Sequence, residues 1–529
     1  MNSINQIGLH ALEKLDEKNY LHFDFPLTEN EREQLISDFS SGNIVHHRYL
    51  PFISFEIRFH IYHTPQKTDP KSCSKKKADS KSRKITLPSH HDALVYRYYG
   101  AVLNHLYSNY AIEHNFSKIA VAYREHQSGK HLSNITTAKE VFDYVTLFPK
   151  AWIIKGDFHH FFDTLNHQHL IDNLLKVFGR DLPNDWKRML RSITQYQSIS
   201  RKTLERQLHV AKVKTAYRSQ QSEGSRSRAY VNDLQELGKL IKGKKIRLSG
   251  KNRVGIPQGT AVSAVLANVY MVDFDEWLAK RCKKFGGLYR RYSDDFILVL
   301  PQNQLSKASV KNFEAEIIER SQDILHLNIE PTKTKLYSYE QDRHAVILLP
   351  NDEMGRQKLG KIDYLGFIFD GVSVSMRPKS IYKFVYRGRR KIGKYITLLR
   401  LRSKVKAGFS DSDIIQSQVV LRYVTHFGNT KRDYVSPPLS SAIQSLRSLQ
   451  QIKEMKPETL QGIHKGITIR YLSTEVKKPR SSMLGYALRA QHTFDVDRPK
   501  YRVVIRRQVL RQIKRNQRKL HQGRKKYNS

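Results

Sequence analysis

The residues best suited to chemistry in this 529-residue chain are the adjacent carboxylates Asp294 and Asp295. They stand directly before Phe296-Ile297-Leu298-Val299-Leu300, a run too short for a buried helix and rich in Ile, Val and Phe, so it reads as a strand that starts at the acids. Leu288 to Tyr292 alternates aromatic and basic residues and reads as the partner strand, which puts Ser293 and Asp294 near the tip of a hairpin. Two like charges side by side repel or raise a pKa unless a cation intervenes, and a hard divalent metal with oxygen ligands meets that need. The same pair also fits a plain solvated turn, and alone it leaves both readings open. Asp157 repeats the arrangement, following the strand Trp152-Ile153-Ile154 and preceding His159-His160-Phe161-Phe162-Asp163. Acids at the ends of two neighbouring strands suit two divalent ions, which activate an attacking hydroxyl and stabilise the leaving oxygen of an in-line phosphoryl displacement. With a Gly255-Ile256-Pro257-Gln258-Gly259-Thr260 loop leading into a helix, and a strongly basic chain, the set points to nucleotidyl transfer.

The charge balance agrees. Lys and Arg number 92 against 49 Asp and Glu, a net +43, with an isoelectric point near 10.0. Such a charge costs self-repulsion in the compact state and implies a polyanion in the working complex, with nucleic acid ahead of an anionic membrane surface. Only Cys73 and Cys282 occur, far apart, which excludes disulfide scaffolds and zinc ribbons. The His-His pairs at 46-47, 90-91 and 159-160 lack the spacing of a zinc helix and read as structural or RNA-facing. No run of about 18 apolar residues exists and the first twenty residues have no signal-type core, so a soluble, intracellular chain without membrane partners is expected.

These residues need elements to position them. Leu9 to about Phe39 is helical with a break near Pro26, and Tyr49 to Tyr62 has the period of a strand. Thr64 to Ser82 is a polar loop whose lysines form either a phosphate-contacting arm or a solvated tip. Arg83 to Pro88 is a short extended piece before a helix from about His91 to Asn109, and Ala120 to Lys130 resembles a strand and turn. Thr137 to Thr146, and then His169 to Gln195, are helical. Ser198 to Lys251 is polar and basic and reads as an insertion with no assignable role. Val262 to Lys284 reads as one long helix, Ser309 to Leu325 as another, and Tyr364 to Phe367 as the turn of a strand pair. From Lys379 the chain is mostly helical and increasingly basic. Residues 501 to 529 hold eleven Lys and Arg and no acid, with Ile505, Val509, Leu510 and Ile513 at helical period, so a basic amphipathic helix docks on one side and presents charge on the other.

The order Asp157-x-x-x-x-Phe162-Asp163, Gly255-Ile256-Pro257-Gln258-Gly259-Thr260-x-x-Ser263-x-x-Leu266-x-Asn268, Tyr292-Ser293-Asp294-Asp295, Lys333-Thr334-Lys335 and Tyr364-Leu365-Gly366-Phe367 resembles the successive palm motifs of the reverse transcriptases. The likeness covers roughly residues 50 to 400 and is strongest toward the prokaryotic enzymes. It implies an α+β right-hand polymerase with an RNA-recognition-like antiparallel palm sheet and a helical C-terminal region. Residues 1–48 would be an N-terminal helical extension, 49–150 fingers, 151–375 palm with the basic insertion at about 198–251, and 376–529 a helical, basic thumb and C-terminal RNA-binding region.

By the same resemblance, Asp157, Asp294 and Asp295 would hold two Mg2+ ions, or Mn2+ in their place, with Asp295 as the supporting carboxylate. Phe162 matches the bulky residue that blocks a ribose 2′-hydroxyl and favours deoxynucleotides; plain packing beside Phe161 is the alternative. Gln258 and Gly259 would lie against the incoming nucleotide and template. Arg83, Lys84 and Arg124 fall where the family's basic residues hold the triphosphate. Arg124, with Ser128-Gly129-Lys130 after it, fits that pattern best because a guanidinium grips phosphate bidentately, whereas Arg83 and Lys130 read as surface or template contacts. Lys333 aligns with a lysine that protonates the pyrophosphate leaving group, although Lys-Thr-Lys also fits a solvated turn. Tyr364 to Phe367 would hold the primer end as a tight hairpin.

Ser293 stands where retron enzymes usually carry Ala, no Val-Thr-Gly stretch follows the palm motifs, and the C-terminal region shows no endonuclease or RNase H pattern. The resemblance therefore narrows to the abortive-infection and unknown-group enzymes of bacterial defence, acting in the cytoplasm. It implies a structured non-coding RNA template, dNTPs, a complementary DNA product made on phage infection, and assembly into a homo-oligomer. Some members prime on a protein hydroxyl, for which Tyr501 and Tyr527 in the basic tail are candidates. The alternatives are a group II intron-type or retron-type enzyme of a mobile element, and an RNA-binding scaffold without catalysis.

Overall fold

The computed structural model describes residues 2–13, 20–61, 79–124, 133–208, 214–216, 227–330, 333–350, 357–411, 414, 449–476, 482–497 and 499–528. Most of the loop at 64–82, the Ser128-Gly129-Lys130 stretch and the serine-rich part of the 198–251 stretch lie outside them. The chain divides into two compact units: Met1–His131, Lys155–Leu298 and Leu305–Thr334 form the first, and Leu132–Ile154, Val299–Gln304 and Lys335–Ser529 the second.

In the first unit, α1 (Asn2–Glu13) and α2 (Glu29–Ser41) precede β1 (Phe52–Ile61) and β2 (Asp79–Leu87), which pair antiparallel with Ile57 opposite Arg83. Then comes α3 (His90–Glu113), whose first-turn N–H groups are all provided for: the Ser89 hydroxyl accepts from Asp92 at 3.0 Å, and the Asp24 carboxylate accepts from His90 and His91 at 3.0 Å each. Val95, Tyr99, Leu103 and Tyr107 of α3 are buried, and α10 (Ala261–Tyr270) packs on the helix.

One continuous helix over 262–284 is not formed. The Tyr270 carbonyl is drawn out of the helical ladder by Nε2 of His169 and Nδ2 of Asn173 on α6 (His167–Phe178), at 3.1 and 3.0 Å, and a new helix, α11 (Val272–Lys284), starts after Met271.

The stretch read as an insertion belongs to the body of the first unit. Its β4 (Ser198–Ser200) pairs in parallel with β1, and its α8 (Arg201–Gln207) and α9 (Leu234–Lys242) contribute Leu204 and Leu237 to a cluster with Ile199, Tyr230, Val231, Phe23 and Ile53. Two short strands, β5 (Lys214–Ala216) and β6 (Ser227–Ala229), pair between them. The unit also holds α5 (Phe161–Thr164), α7 (Asn184–Thr194) and α12 (Lys307–Leu325). Its site-bearing strands run in the order β3 (Lys150–Asp157), β8 (Asp295–Pro301), β7 (Leu288–Tyr292); β3 enters from the second unit and β8 continues into it.

The second unit places β9 (Lys335–Glu340) between β3 and β10 (Ala345–Leu348), with β11 (Lys358–Leu359) at the edge. A second sheet orders β12 (Ile362–Tyr364), β13 (Phe367–Phe369), β14 (Ser373–Met376) and β15 (Arg502–Val503). Leu365 and Gly366 join β12 to β13 with both φ positive, at 48° and 96°, the geometry of a tight hairpin. Asn134 at the start of α4 (Asn134–Leu147) donates to the Leu365 carbonyl at 3.1 Å and steadies that turn. Among its described residues the unit also holds the helices α13 (Pro378–Lys406), α14 (Pro457–Ile467), α15 (Met483–Asp495) and α16 (Ile505–Asn528).

Tyr501, read as a candidate priming hydroxyl, is buried and donates to Asp143 at 2.6 Å, so its oxygen is already engaged by a carboxylate. The side chain of Tyr527 lies outside the described residues.

Candidate active site

Chain geometry brings the three carboxylates to neighbouring strand ends. Asp157 ends β3, Asp295 opens β8 beside it, and Asp294 stands in the turn just before. The Phe158 N–H donates to the Asp294 carbonyl at 3.2 Å, tying the two ends together. Gly156 allows this approach because Phe296 lies against it, in the space a Cβ would take. The hairpin turn is Ser293-Asp294, with Ser293 buried at φ +60°, a region that residues other than Gly seldom adopt.

Lys333 reaches the same place. Residues 157–159 pair with 328–330 through the Glu330 N–H to the Asp157 carbonyl and the His159 N–H to the Asn328 carbonyl, both 2.9 Å, and Lys333, whose N–H donates to the Glu330 carbonyl at 3.1 Å, sets its ammonium on the Asp157 carboxylate. Burial works against the charged ammonium, but the hydrogen bond and charge of Asp157 outweigh it and raise the Lys333 pKa. On β3, Lys155 shares a face with Asp157, and its Nζ lies 3.9 Å from Asp295. Asp294 feels the carboxylates of both pairs. Burial, then the charges of Asp157 and Asp295, push its pKa up to about 6, while Arg83 pulls the other way. Among the described residues no three His, Cys, Asp or Glu side chains converge as a ready-made metal cage. The donor set nevertheless fits hard divalent ions: the three candidate donors are carboxylates, and burial together with their mutual repulsion raises the Asp294 pKa, a cost that a hard cation would relieve.

Arg83 of β2, an exposed cation, acts on Asp294 only by its charge, the smallest of the contributions to that shift. The end of β2 is fixed to the Gln258-Gly259 loop: Thr86 N–H donates to the Gln258 carbonyl at 2.8 Å, and Gly259, at φ +136°, lies so near that a Cβ would come within 2.5 Å of the Thr86 oxygen. Phe162 joins through its carbonyl, which accepts from Ile256 at 2.8 Å. Phe161 takes the buried position beside Phe158, and Phe162 is left partly exposed.

Two expected phosphate ligands do not join this group. Arg124 is 7% exposed; its guanidinium donates to the Ser117 carbonyl and lies 5.2 Å from the Tyr107 ring centroid, so it serves the interior where a bidentate grip on solvent phosphate was expected. Lys84 sits opposite Glu56 and, by the alternation of a strand, on the other face of β2 from Arg83.

Reasoning from sequence missed the support beneath the hairpin. Arg291, fully buried, donates from Nε and Nη2 to the Asp275 carboxylate at 2.6 to 3.1 Å, and from Nη1 to the Ser293 carbonyl at 3.0 Å and the Asn268 side chain at 3.3 Å. The Tyr289 hydroxyl donates to Asp275 at 2.7 Å. Burial opposes the Arg291 charge, but Asp275 more than compensates and raises its pKa. Its backbone also exchanges hydrogen bonds with Ile119 and Val121, at 2.9 Å each. The left-handed turn that aims Asp294 is thus held from below by side chains of α10 and α11. A basic residue between tyrosines in an alternating strand gives no sign of this; an acid one turn into α11 was the only hint.

Residues 75–369, more than half of the chain and all of the candidate site, match the reverse transcriptase (RNA-dependent DNA polymerase) family. No curated protein matches the sequence. Among solved structures, the chain is similar to telomerase from Candida albicans in complex with a fragment of telomeric RNA, at 14% identity and a TM-score of 0.34, over 83% of this chain and 70% of that one. It is also similar to apo telomerase from Candida tropicalis truncated from its C-terminal domain, at 12% identity and a TM-score of 0.33, over 57% of this chain and 53% of that one. The chain thus spans about half the length of that truncated telomerase. By its match over residues 75–369, the chain belongs to the reverse transcriptase family, whose α+β right-hand polymerase fold it has.

Proposed function

We propose that this chain is an RNA-directed DNA polymerase that copies a cognate structured non-coding RNA into complementary DNA, in the bacterial cytoplasm and in defence against phage. The observation that carries the catalytic part is the meeting of Asp157, Asp294 and Asp295 with Lys333 at the ends of β3 and β8. Asp157 and Asp294 would hold two Mg2+ ions, with Asp295 supporting. Bound there, the ions supply activation of the primer hydroxyl and neutralisation of the leaving pyrophosphate.

The chain's own groups do the rest. Arg83 presents a permanent cation to the triphosphate from β2. Lys333, charged and beside Asp157, is placed to donate a proton to the departing phosphate oxygen. Phe162, partly exposed, would by the family resemblance exclude a ribose 2′-hydroxyl. The Gln258-Gly259 backbone, pinned to β2 through the Thr86 N–H, would lie against the incoming nucleotide.

The test is primer extension on an RNA template with Mg2+ and dNTPs. Wild-type chain should incorporate, and the double variant Asp294→Ala, Asp295→Ala should not, while still binding RNA. Incorporation surviving in that variant would overturn the assignment. Sequencing the RNA and DNA that copurify from the host tests the biological half. A short structured RNA with phage-dependent protection supports defence; a splicing-competent intron RNA moves the chain to a mobile element.

A further inference from the structure

The second unit holds a strongly charged surface that is not part of the candidate site. Helix α16 carries ten Lys and Arg and no acid over its 24 residues. Ile505, Val509, Ile513, Asn516 and Leu520 are buried along one side, and Leu520 joins Ile392 and Tyr395 of α13 in one cluster. Asn516 donates to the Tyr471 carbonyl at 3.3 Å and Gln517 to the Leu472 carbonyl at 2.7 Å, which fixes the rotation of the helix.

With about 100° per residue, Arg507, Arg511, Lys514 and Arg518 fall within roughly 40° of the direction opposite that buried stripe, over about 16 Å of helix. All four are exposed, and among the described residues none is ion-paired. Toward the N-terminal end the stripe borders a cavity of about 570 Å³ between α15 and α16, floored by Val503 and Leu510. Its one acid, Asp495, is engaged by Gln491, whose amide donates to it at 2.8 Å.

Aligned, unpaired cations on a rigid rod repel one another, and the fold does nothing to neutralise them. An anionic lipid surface is a poor occupant, because a surface-binding helix needs an apolar face to embed and that of α16 is spent inside the unit. A row of phosphates meets both conditions: it supplies the missing counter-charge at regular spacing and asks for no apolar contact.

We propose that the outward face of α16, with Arg507, Arg511, Lys514 and Arg518, is a docking surface for the phosphate backbone of duplex RNA. The choice of RNA as the polyanion rests on the RNA-templated reading above; the surface itself does not. It anchors the stem of a structured RNA by charge and without reading its sequence.

The full-length chain is titrated, in chelator and without dNTPs, against a blunt RNA hairpin of arbitrary sequence with a stem of about 20 base pairs, at several salt concentrations. Changing all four residues to Gln, a good helix former, should weaken binding by tenfold or more and reduce the slope of log K against log salt by about one per lost contact. The same four changed between Lys and Arg should keep both slope and affinity. Changing Lys283, Lys284, Lys307 and Arg320, exposed cations of α11 and α12, to Gln removes equal charge elsewhere and should leave the slope nearly unchanged.

An unchanged slope in the first variant, or an equal loss in the α11 and α12 control, overturns the proposal. So does a preference for phosphatidylserine vesicles or for duplex DNA over the RNA hairpin. Because no incorporation is measured, failure here is separate from failure of the polymerase assignment, which the Asp294 and Asp295 variant reads.

Discussion

Asp294 is the residue on which the site's electrostatics converge. Its folded-state pKa of about 6 lies above the ordinary 3.8, so the stability linked to its proton is fully present below pH 3.8 and is lost as pH rises through 6. The metal-free protein should therefore lose thermal stability between about pH 4 and 7, and Asp294→Asn, which carries no charge to repel Asp157 and Asp295, should lose less. At pH 7 in chelator the Asn variant should be the more stable by roughly 1 to 3 kcal/mol. Added Mg2+ should close that gap by stabilising wild type alone, since the ion replaces the proton as counter-charge. Thermal melts across pH, with and without metal, check this, and parallel curves for the two proteins would remove the explanation. Arg124 shows the limit of reasoning from residue type. Its guanidinium suits a triphosphate, but whether it faces solvent was decided by the Tyr107 ring and the Ser117 carbonyl, neither of which its own neighbourhood in sequence announces.

At the scale of elements, the β7–β8 hairpin was legible because strand period and apolar run coincide with the acids, and the two-residue turn at Ser293-Asp294 follows from where those strands stop. What sequence did not carry is long-range. The break at Met271 depends on two side chains of α6, and the place of residues 198–251 in the core depends on a few apolar residues hidden in a polar stretch. The Arg291–Asp275 pair is of the same kind. Removing one partner leaves the other buried and uncompensated, so Arg291→Met should cost about 3 to 5 kcal/mol, and adding Asp275→Asn should recover part of it. Arg291→Lys keeps the charge but cannot span Asp275, Asn268 and the Ser293 carbonyl together. It should fold and bind RNA, yet lower kcat with little change in KM, because the turn aiming Asp294 loses its support. A variant with wild-type kcat would reduce Arg291 to a packing residue.

At the scale of the whole molecule, a net charge of +43 gives salt two opposite effects. In the free protein, cations crowd helices such as α13 and α16, neither of which contains an acid, and self-repulsion opposes the compact state. Raising salt from about 0.1 to 1 M shortens the screening length from ~10 to ~3 Å, so the melting temperature of the RNA-free protein should rise. Bound RNA does the same work by supplying phosphates, and it stabilises the folded state by mass action because the unfolded chain holds no ordered surface for it. That contribution fades with salt as counterion release weakens the complex. The melting temperature of the RNA complex should therefore start above that of the free protein at low salt and converge with it as salt rises. Two melting series against salt, with and without a saturating RNA hairpin, measure both limbs. A free protein whose stability falls with salt would mean that its cations are already offset by internal acids, which the arrangement of charges on α13 and α16 contradicts.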